Sequence, residues 1–183
     1  MLVVMAGLPG TGKSLIASQL EQRLNAVVLD KDTLRVALFP PEDIEYSQAQ
    51  DDFVMHTIYR TAEYLLKKDA NRLVVIDGRP YASAYQVQEV RSFAARSGLE
   101  LRLIECVCSN ETARHRLGLD RMHHRHPAAN RDAELYIALK STAEPIPPPK
   151  LVVDTDRPLD LCLRECLEYI RSGEPAAVKD APG

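Results

Sequence analysis

The stretch "GLPGTGKS" occupies residues 7–14, directly behind the apolar run "LVVMA" at residues 2–6. It satisfies G-x-x-x-x-G-K-[ST] at Gly7, Gly12, Lys13 and Ser14. A short apolar run ending at glycine predicts a buried strand. The following "GKSLIASQLEQRLN" predicts an amphipathic helix with Leu15, Ile16, Leu20 and Leu24 near one stripe. Glycines let backbone N–H groups turn inward around an anion, and a helix N-terminus adds partial positive charge. Lys13 is expected to reach the β- and γ-phosphates of a nucleotide, and the Ser14 hydroxyl to ligate Mg2+. The alternative is a glycine-rich turn that holds no ligand; motif and context together favour the phosphate cradle.

Working outward, strands are predicted at 26–30, 72–78, 99–108 and 150–155, each an apolar run. Helices are predicted within 32–39, 47–68 and 82–98, from Ser109 onward, in "RDAELYIALKSTAE" and in "PLDLCLRECLEYIRSG". Strands alternating with helices predict an α/β, three-layer P-loop NTPase fold: a five-stranded parallel sheet with helices on both faces and a short helical lid at about 114–131. The 183 residues suit one domain, read as 1–173 with a flexible tail at 174–183.

The formal charge is -3, so no basic field over the whole surface points to nucleic acid. No apolar run approaches membrane-spanning length. The N-terminus reads as a first strand rather than a signal peptide, so a cytoplasmic location is expected. Cys106, Cys108, Cys162 and Cys166 make no C-x-x-C and no zinc spacing. They read as buried free thiols.

In a doubly wound sheet the carboxyl ends of the strands face the ligand crevice. "LDKDTLR" therefore brings Asp30, Asp32 and Arg35 near the phosphates. Asp32 and Arg35 are three apart and share a helix face. A carboxylate there can take the proton from an attacking hydroxyl; a guanidinium can hold an anionic or polar acceptor. The same spacing fits an N-terminal cap plus an exposed ion pair, and spacing alone does not separate the two. Asp77 closes "VVID" as a Walker-B carboxylate would, a second candidate for Mg2+ beside Ser14; a plain strand-end turn is the other reading. Arg79, just past Gly78, is a candidate to face the acceptor.

Residues 114–131 hold five arginines and four histidines, with Asp120 the sole acid. Arg116 and Arg121 are the candidates to neutralise transition-state oxygens from a lid that excludes water. Their spacing of five predicts a helix break, for which Gly118 is available. A solvated basic helix is the plainer reading of the segment. Its clustered histidines lack companion acids or cysteines and are weak metal ligand candidates. His56, alone on a helix, reads as a surface or packing residue.

Taken together, "GLPGTGKS", the D-x-x-R of Asp32 and Arg35, "VVIDG", "RLGLDR" and "VVDT" resemble the P-loop kinases grouped with the zeta toxins and the kinase half of phage polynucleotide kinase. The resemblance runs from residue 1 to about 173. It implies an ATP- and Mg2+-dependent phosphotransferase acting on a hydroxyl. Asp32 would be the general base, Arg35 an acceptor-side anchor, and Arg116 and Arg121 lid arginines on the phosphates. Nucleotide contacts would come from Gly7, Pro9, Gly10, Thr11, Gly12, Lys13, Ser14 and Leu15. The last-strand loop, with Thr155 and Arg157, would lie near the adenine. Neither a phosphatase half nor an antitoxin segment is attached, and "HPAANRDAELY" with "EPIPPP" looks like stand-alone bacterial AAA-type members.

With no tryptophan and scattered tyrosines, a polynucleotide groove is disfavoured and a small-molecule hydroxyl acceptor is expected. Tyr46 and residues 40–52 are the candidate wall for it. A polynucleotide 5′-hydroxyl kinase, an ATPase switch or assembly component without an acceptor, and a nucleotide-binding scaffold are the alternatives.

Overall fold

The computed structural model describes residues 1–123 and 133–174, without the side chains of residues 121, 123 and 133. Its strands are β1 (Leu2–Ala6), β2 (Val27–Asp30), β3 (Val74–Asp77), β4 (Leu101–Val107) and β5 (Leu151–Asp154). All pair in parallel, in the order β2-β3-β1-β4-β5. The helices are α1 (Lys13–Leu24), α2 (Lys31–Leu38), α3 (Gln48–Lys68), α4 (Ala84–Arg96), α5 (Asn110–His123), α6 (Ala133–Thr142) and α7 (Leu159–Ser172). The order leaves β1 at the centre of the sheet, so the phosphate-loop motif leaves the carboxyl end of the central strand.

Every residue of β1 is buried because helices cover both of its faces. Alternation along the strand sends Val3 and Met5 toward Ile16 and Leu20 of α1 and Leu163 of α7. Leu2 and Val4 pack on the opposite side with Met55 and Ile58 of α3 and Val90 of α4. Each fully buried aliphatic side chain contributes about 1.5–3 kcal/mol. Cys106, Cys162 and Cys166 sit in the α1–α7 core as small apolar groups. Burial pushes the Cys106 thiol up to about 12, which keeps it unreactive.

Helix ends follow local chemistry. Ser47 Oγ accepts from the Gln50 N–H at 3.2 Å to start α3. Gly173, at φ +77, closes α7. The break expected at Gly118 does not occur: α5 runs through it to His123. Ala113 and Leu117 pack against Tyr136 of α6 and hold the helix there. Gly118 itself faces open space, so its intrinsic cost of about 1 kcal/mol relative to alanine is outweighed.

Of the expected lid, Arg125, Arg131, His124 and His126 lie outside the described residues, as do residues 175–183 of the expected tail. Among the described residues no helix is long and apolar enough to cross a membrane.

Candidate active site

The loop from β1 into α1 turns at Gly7, Gly10 and Gly12, with φ of +124, +80 and +83. A Cβ at Gly7 would stand 2.2 Å from the Cys106 carbonyl oxygen, and one at Gly10 would stand 2.7 Å from that of Ala113. Glycine is what lets β4 and α5 close this tightly on the loop. The Gly7 N–H donates to the Pro80 carbonyl at 3.0 Å. Thr11 Oγ1 donates to Leu8 O at 2.7 Å, and Lys13 Nζ reaches back to the same carbonyl at 2.9 Å. Gly7 and Thr11 therefore serve the loop from beneath.

On one side of Lys13 and Ser14 lies a cavity of about 600 Å³, walled by Gly10, Gly12, Leu15, Thr155 and Arg157. Its volume is that of an ordinary ligand site. Arg116 of α5 crosses it. Nη1 donates to Thr155 Oγ1 at 2.9 Å and to Gly10 O at 3.3 Å, and Nη2 to Thr155 O at 2.8 Å. Thr155 Oγ1 donates onward to Thr11 O at 2.9 Å. These bonds fasten α5, the phosphate loop and the β5–α7 turn to one another. Arg157, at the rim, pairs with Glu165 at 2.8 Å. The side chain of Arg121 lies outside the described residues.

On the other side of Lys13 and Ser14 lies a cavity of about 210 Å³, reached also by Pro9, Asp32, Arg35 and Tyr46. Asp32 is 6% exposed and Arg35 1% exposed. They pair at 3.0 Å, so the ion pair is buried rather than exposed. Asp30 does not join them. Its carboxylate accepts the Thr33 N–H at 2.7 Å and caps α2, because the freed N–H groups of the first turn take the nearest acceptor. Asp51 of α3 bonds Arg35 Nη2 and takes Lys31 Nζ at 2.9 Å and 3.1 Å.

Burial draws the Lys31 ammonium down to about 8; Asp32 opposes that shift and Arg35 adds to it. The Tyr46 ring lies 5.0 Å from the Arg35 guanidinium. Its backbone is left-handed, at φ +53, a strain of about 1–3 kcal/mol. Gln50 holds the loop there: Oε1 accepts the Glu45 N–H at 3.1 Å and Nε2 donates to Asp43 O at 2.8 Å. Tyr46 and Asp51 fall in the 40–52 stretch expected to wall such a pocket, whereas Lys31 and Gln86, which also border this cavity, are residues that sequence reasoning misses. No spacing rule links Lys31 to a carboxylate twenty positions on.

Asp77 is 2% exposed, and its Oδ1 has no hydrogen-bond partner. Its charge and that of Lys13 act in opposite directions on the Cys106 thiol. A hydroxyl from Ser14 and an unmet carboxylate oxygen are the hard donors that Mg2+ takes, with water and phosphate oxygens completing the shell. The two residues fit that ion. Among the described residues no three His, Cys, Asp or Glu side chains gather into a metal cluster. His56 is exposed and pairs with Glu89 at 3.3 Å.

Arg79 departs from expectation. It is fully buried and does not border the smaller cavity. Its Nη2 donates to Asp52 and its Nη1 to Glu89, each at 2.6 Å. Two carboxylates from α3 and α4 take up the guanidinium, which ties both helices to the exit of β3.

Residues 2–146 match the family described as the AAA domain. Several solved structures share the architecture. The APS kinase CysC of Mycobacterium tuberculosis, in complex with AMPPNP and APS, aligns with a TM-score of 0.69 at 23% identity, covering 93% of this chain and 97% of that one. A gluconokinase from Sinorhizobium meliloti 1021 gives 0.66 at 19% identity, with 92% and 90% covered. Kti12 from Chaetomium thermophilum, in complex with ADP-AlF3, gives 0.65 at 16% identity, with 93% and 97% covered. Among curated proteins there is no match. At these identities the likeness to solved structures is one of fold. A phosphate loop on the central strand of a 2-3-1-4-5 parallel sheet, matched over most of its length, makes this chain a member of the AAA domain family built on the P-loop kinase fold.

Proposed function

We propose that this chain moves the γ-phosphoryl group of ATP to a hydroxyl of a small molecule. One observation carries the reading: Lys13 and Ser14 are the common wall of two cavities, one of nucleotide size and the other containing a buried carboxylate, Asp32. Phosphates held at Lys13 would end where the second cavity begins. An acceptor hydroxyl entering there would give its proton to Asp32. Its oxygen would form the new bond to the γ-phosphorus as the bond to the bridging oxygen breaks, the electron pair leaving with ADP.

Arg35 would orient Asp32 through their 3.0 Å bond. Arg116, and Arg121 with it, would meet charge developing on the phosphoryl oxygens. Thr155 and Arg157 would border the nucleobase. Mg2+, held by Ser14 and Asp77, would neutralise the β- and γ-oxygens. Residues 1–173 would act as a single kinase domain. The names of the APS kinase and the gluconokinase with this fold support small-molecule acceptors. So does the second cavity, too small for a polynucleotide at about 210 Å³.

The test is incubation of the full chain with γ-labelled ATP, Mg2+ and a library of hydroxyl compounds. Label in an organic product is the expected result. Label released only as inorganic phosphate, at a rate set by an added protein, would make the chain an ATPase switch instead.

A further inference from the structure

Gln86 borders the smaller cavity from the first turn of α4. Two features of that helix fix where it faces. Val87 and Val90 are buried in the core and set the rotation of the helix. Glu89, three positions on and on the same face as Gln86, accepts from the buried Arg79 at 2.6 Å. Gln86 is thereby held beside the exit of β3, where Gly78 and Pro80 also reach the cavity.

The charged side chains that α2 and α3 bring to this cavity already hold partners. Lys31 Nζ donates to Asp51 at 2.9 Å, and Arg35 bonds both Asp32 and Asp51. Gln86 differs from them. It is partly buried, and its Oε1 is shut off from solvent with no hydrogen-bond partner. Native proteins leave few such groups unmet. A second unmet group belongs to the same cavity: Arg35, 1% exposed, leaves its Nε without an acceptor.

The terminal torsion of a glutamine is soft, so turning the amide toward the cavity costs little. A carboxamide accepts through oxygen and donates through nitrogen. It carries no charge, so it selects a guest by the placement of hydrogen-bonding groups. Leu135 and Leu139, four apart on one face of α6, add apolar wall for the carbon skeleton of that guest.

Resting on the kinase reading above, we infer that Gln86 determines acceptor specificity by hydrogen-bonding a second polar group, a hydroxyl or N–H beside the hydroxyl that takes the phosphoryl group. The acceptor is then a diol, a polyol or an amino alcohol rather than a monohydric alcohol. The two residues divide the work: Asp32 takes the proton of the reacting hydroxyl, and Gln86 fixes which hydroxyl is presented to it.

The test uses the full chain, γ-labelled ATP with Mg2+, and pairs of compounds that differ in one polar group: aldohexoses against their monodeoxy forms, ribonucleosides against deoxyribonucleosides, and amino alcohols against the matching alcohols. At one position wild type is expected to favour the complete member about tenfold in kcat/KM. Gln86→Met keeps the length of the side chain and removes the amide. It is expected to bring that ratio near one by losing on the complete member, with ATP affinity unchanged, and Gln86→Ala, the second variant, is expected to do the same. An unchanged ratio in the variants, or an equal loss on both members, would overturn the role of Gln86. Equal labelling of every pair by wild type would overturn the inference without need of either variant. Each of these results leaves the kinase reading standing. Label transferred to no compound while ATP still binds would overturn the kinase reading, and the inference with it.

Discussion

Lys13 and Ser14 divide two cavities that are built by different means. The larger, about 600 Å³, joins part of the glycine loop to side chains such as Arg116, Thr155 and Arg157. Its floor is a glycine loop at positive φ, and Arg116 is held there by two carbonyls and a threonine. The smaller, about 210 Å³, is lined, besides Lys13 and Ser14, by Lys31, Asp32 and Arg35 of α2, Asp51 of α3, Gln86 of α4 and Leu135 and Leu139 of α6. Inward N–H groups suit phosphates in general. Side-chain charges buried in a small space suit one kind of guest and repel others. Burying that many ions is costly unless each is matched.

The sharpest way to break this contrast is to remove a buried charge behind the acceptor half. Arg79→Met leaves Asp52 and Glu89 without their cation, and losing one partner of a buried pair costs about 3–5 kcal/mol. Thermal melts should show Tm falling by about 10 °C. An unchanged Tm would mean that buried pairing does not hold α3 and α4 in place.

On the donor side, Arg116→Ala should lower kcat about a hundredfold while leaving the acceptor KM unchanged in steady-state assays. A rise in acceptor KM instead would assign this arginine to the other cavity.

Lys31 gives a smaller effect with a definite sign. Buried, it titrates at about 8, whereas in the unfolded chain it titrates near 10.5. Below about 8 both states hold the proton, and the fold bears the cost of burying it. Between about 8 and 10.5 the unfolded chain holds more protons, so stability rises with pH. Denaturant titrations at pH 8 and pH 10 should show this increment in wild type and its absence in Lys31→Met. Parallel behaviour of the two proteins would contradict it.

The smallest effect belongs to Arg157→Ala. Its pair with Glu165 is half-exposed, so Tm should move by no more than about 2 °C. A fall as large as that of Arg79→Met would erase the distinction between exposed and buried pairs.

The same contrast explains what sequence could reveal. The donor half is contiguous in sequence: "GLPGTGKS" follows a strand and opens a helix, and backbone geometry follows from glycine placement. The parallel sheet was legible too, since a run such as "VVID" is apolar on both faces only when helices cover both. The smaller cavity was legible at Asp32 and Arg35, which local helix spacing puts on one face, and in the 40–52 stretch that holds Tyr46 and Asp51. Asp51 joins them from α3, and that meeting depends on how α2 and α3 pack, which no short pattern encodes. Arg79 shows the same limit from the other side. One residue past a strand-end glycine, it reads as an arginine facing the site. Asp52 and Glu89, distant in sequence, decide that it is buried structure instead. At Gly118 a local propensity lost to the packing of Ala113 and Leu117.

Asp32→Asn bears most directly on transfer across the Lys13–Ser14 wall. The substitution keeps the size and one acceptor oxygen but removes the basic carboxylate. Calorimetric titration with ATP and Mg2+ should give wild-type affinity, while phosphoryl transfer from γ-labelled ATP falls about 10²–10⁴-fold. Transfer at the wild-type rate by this variant would contradict the role of Asp32 and leave a protein that only captures nucleotide on that side of the wall.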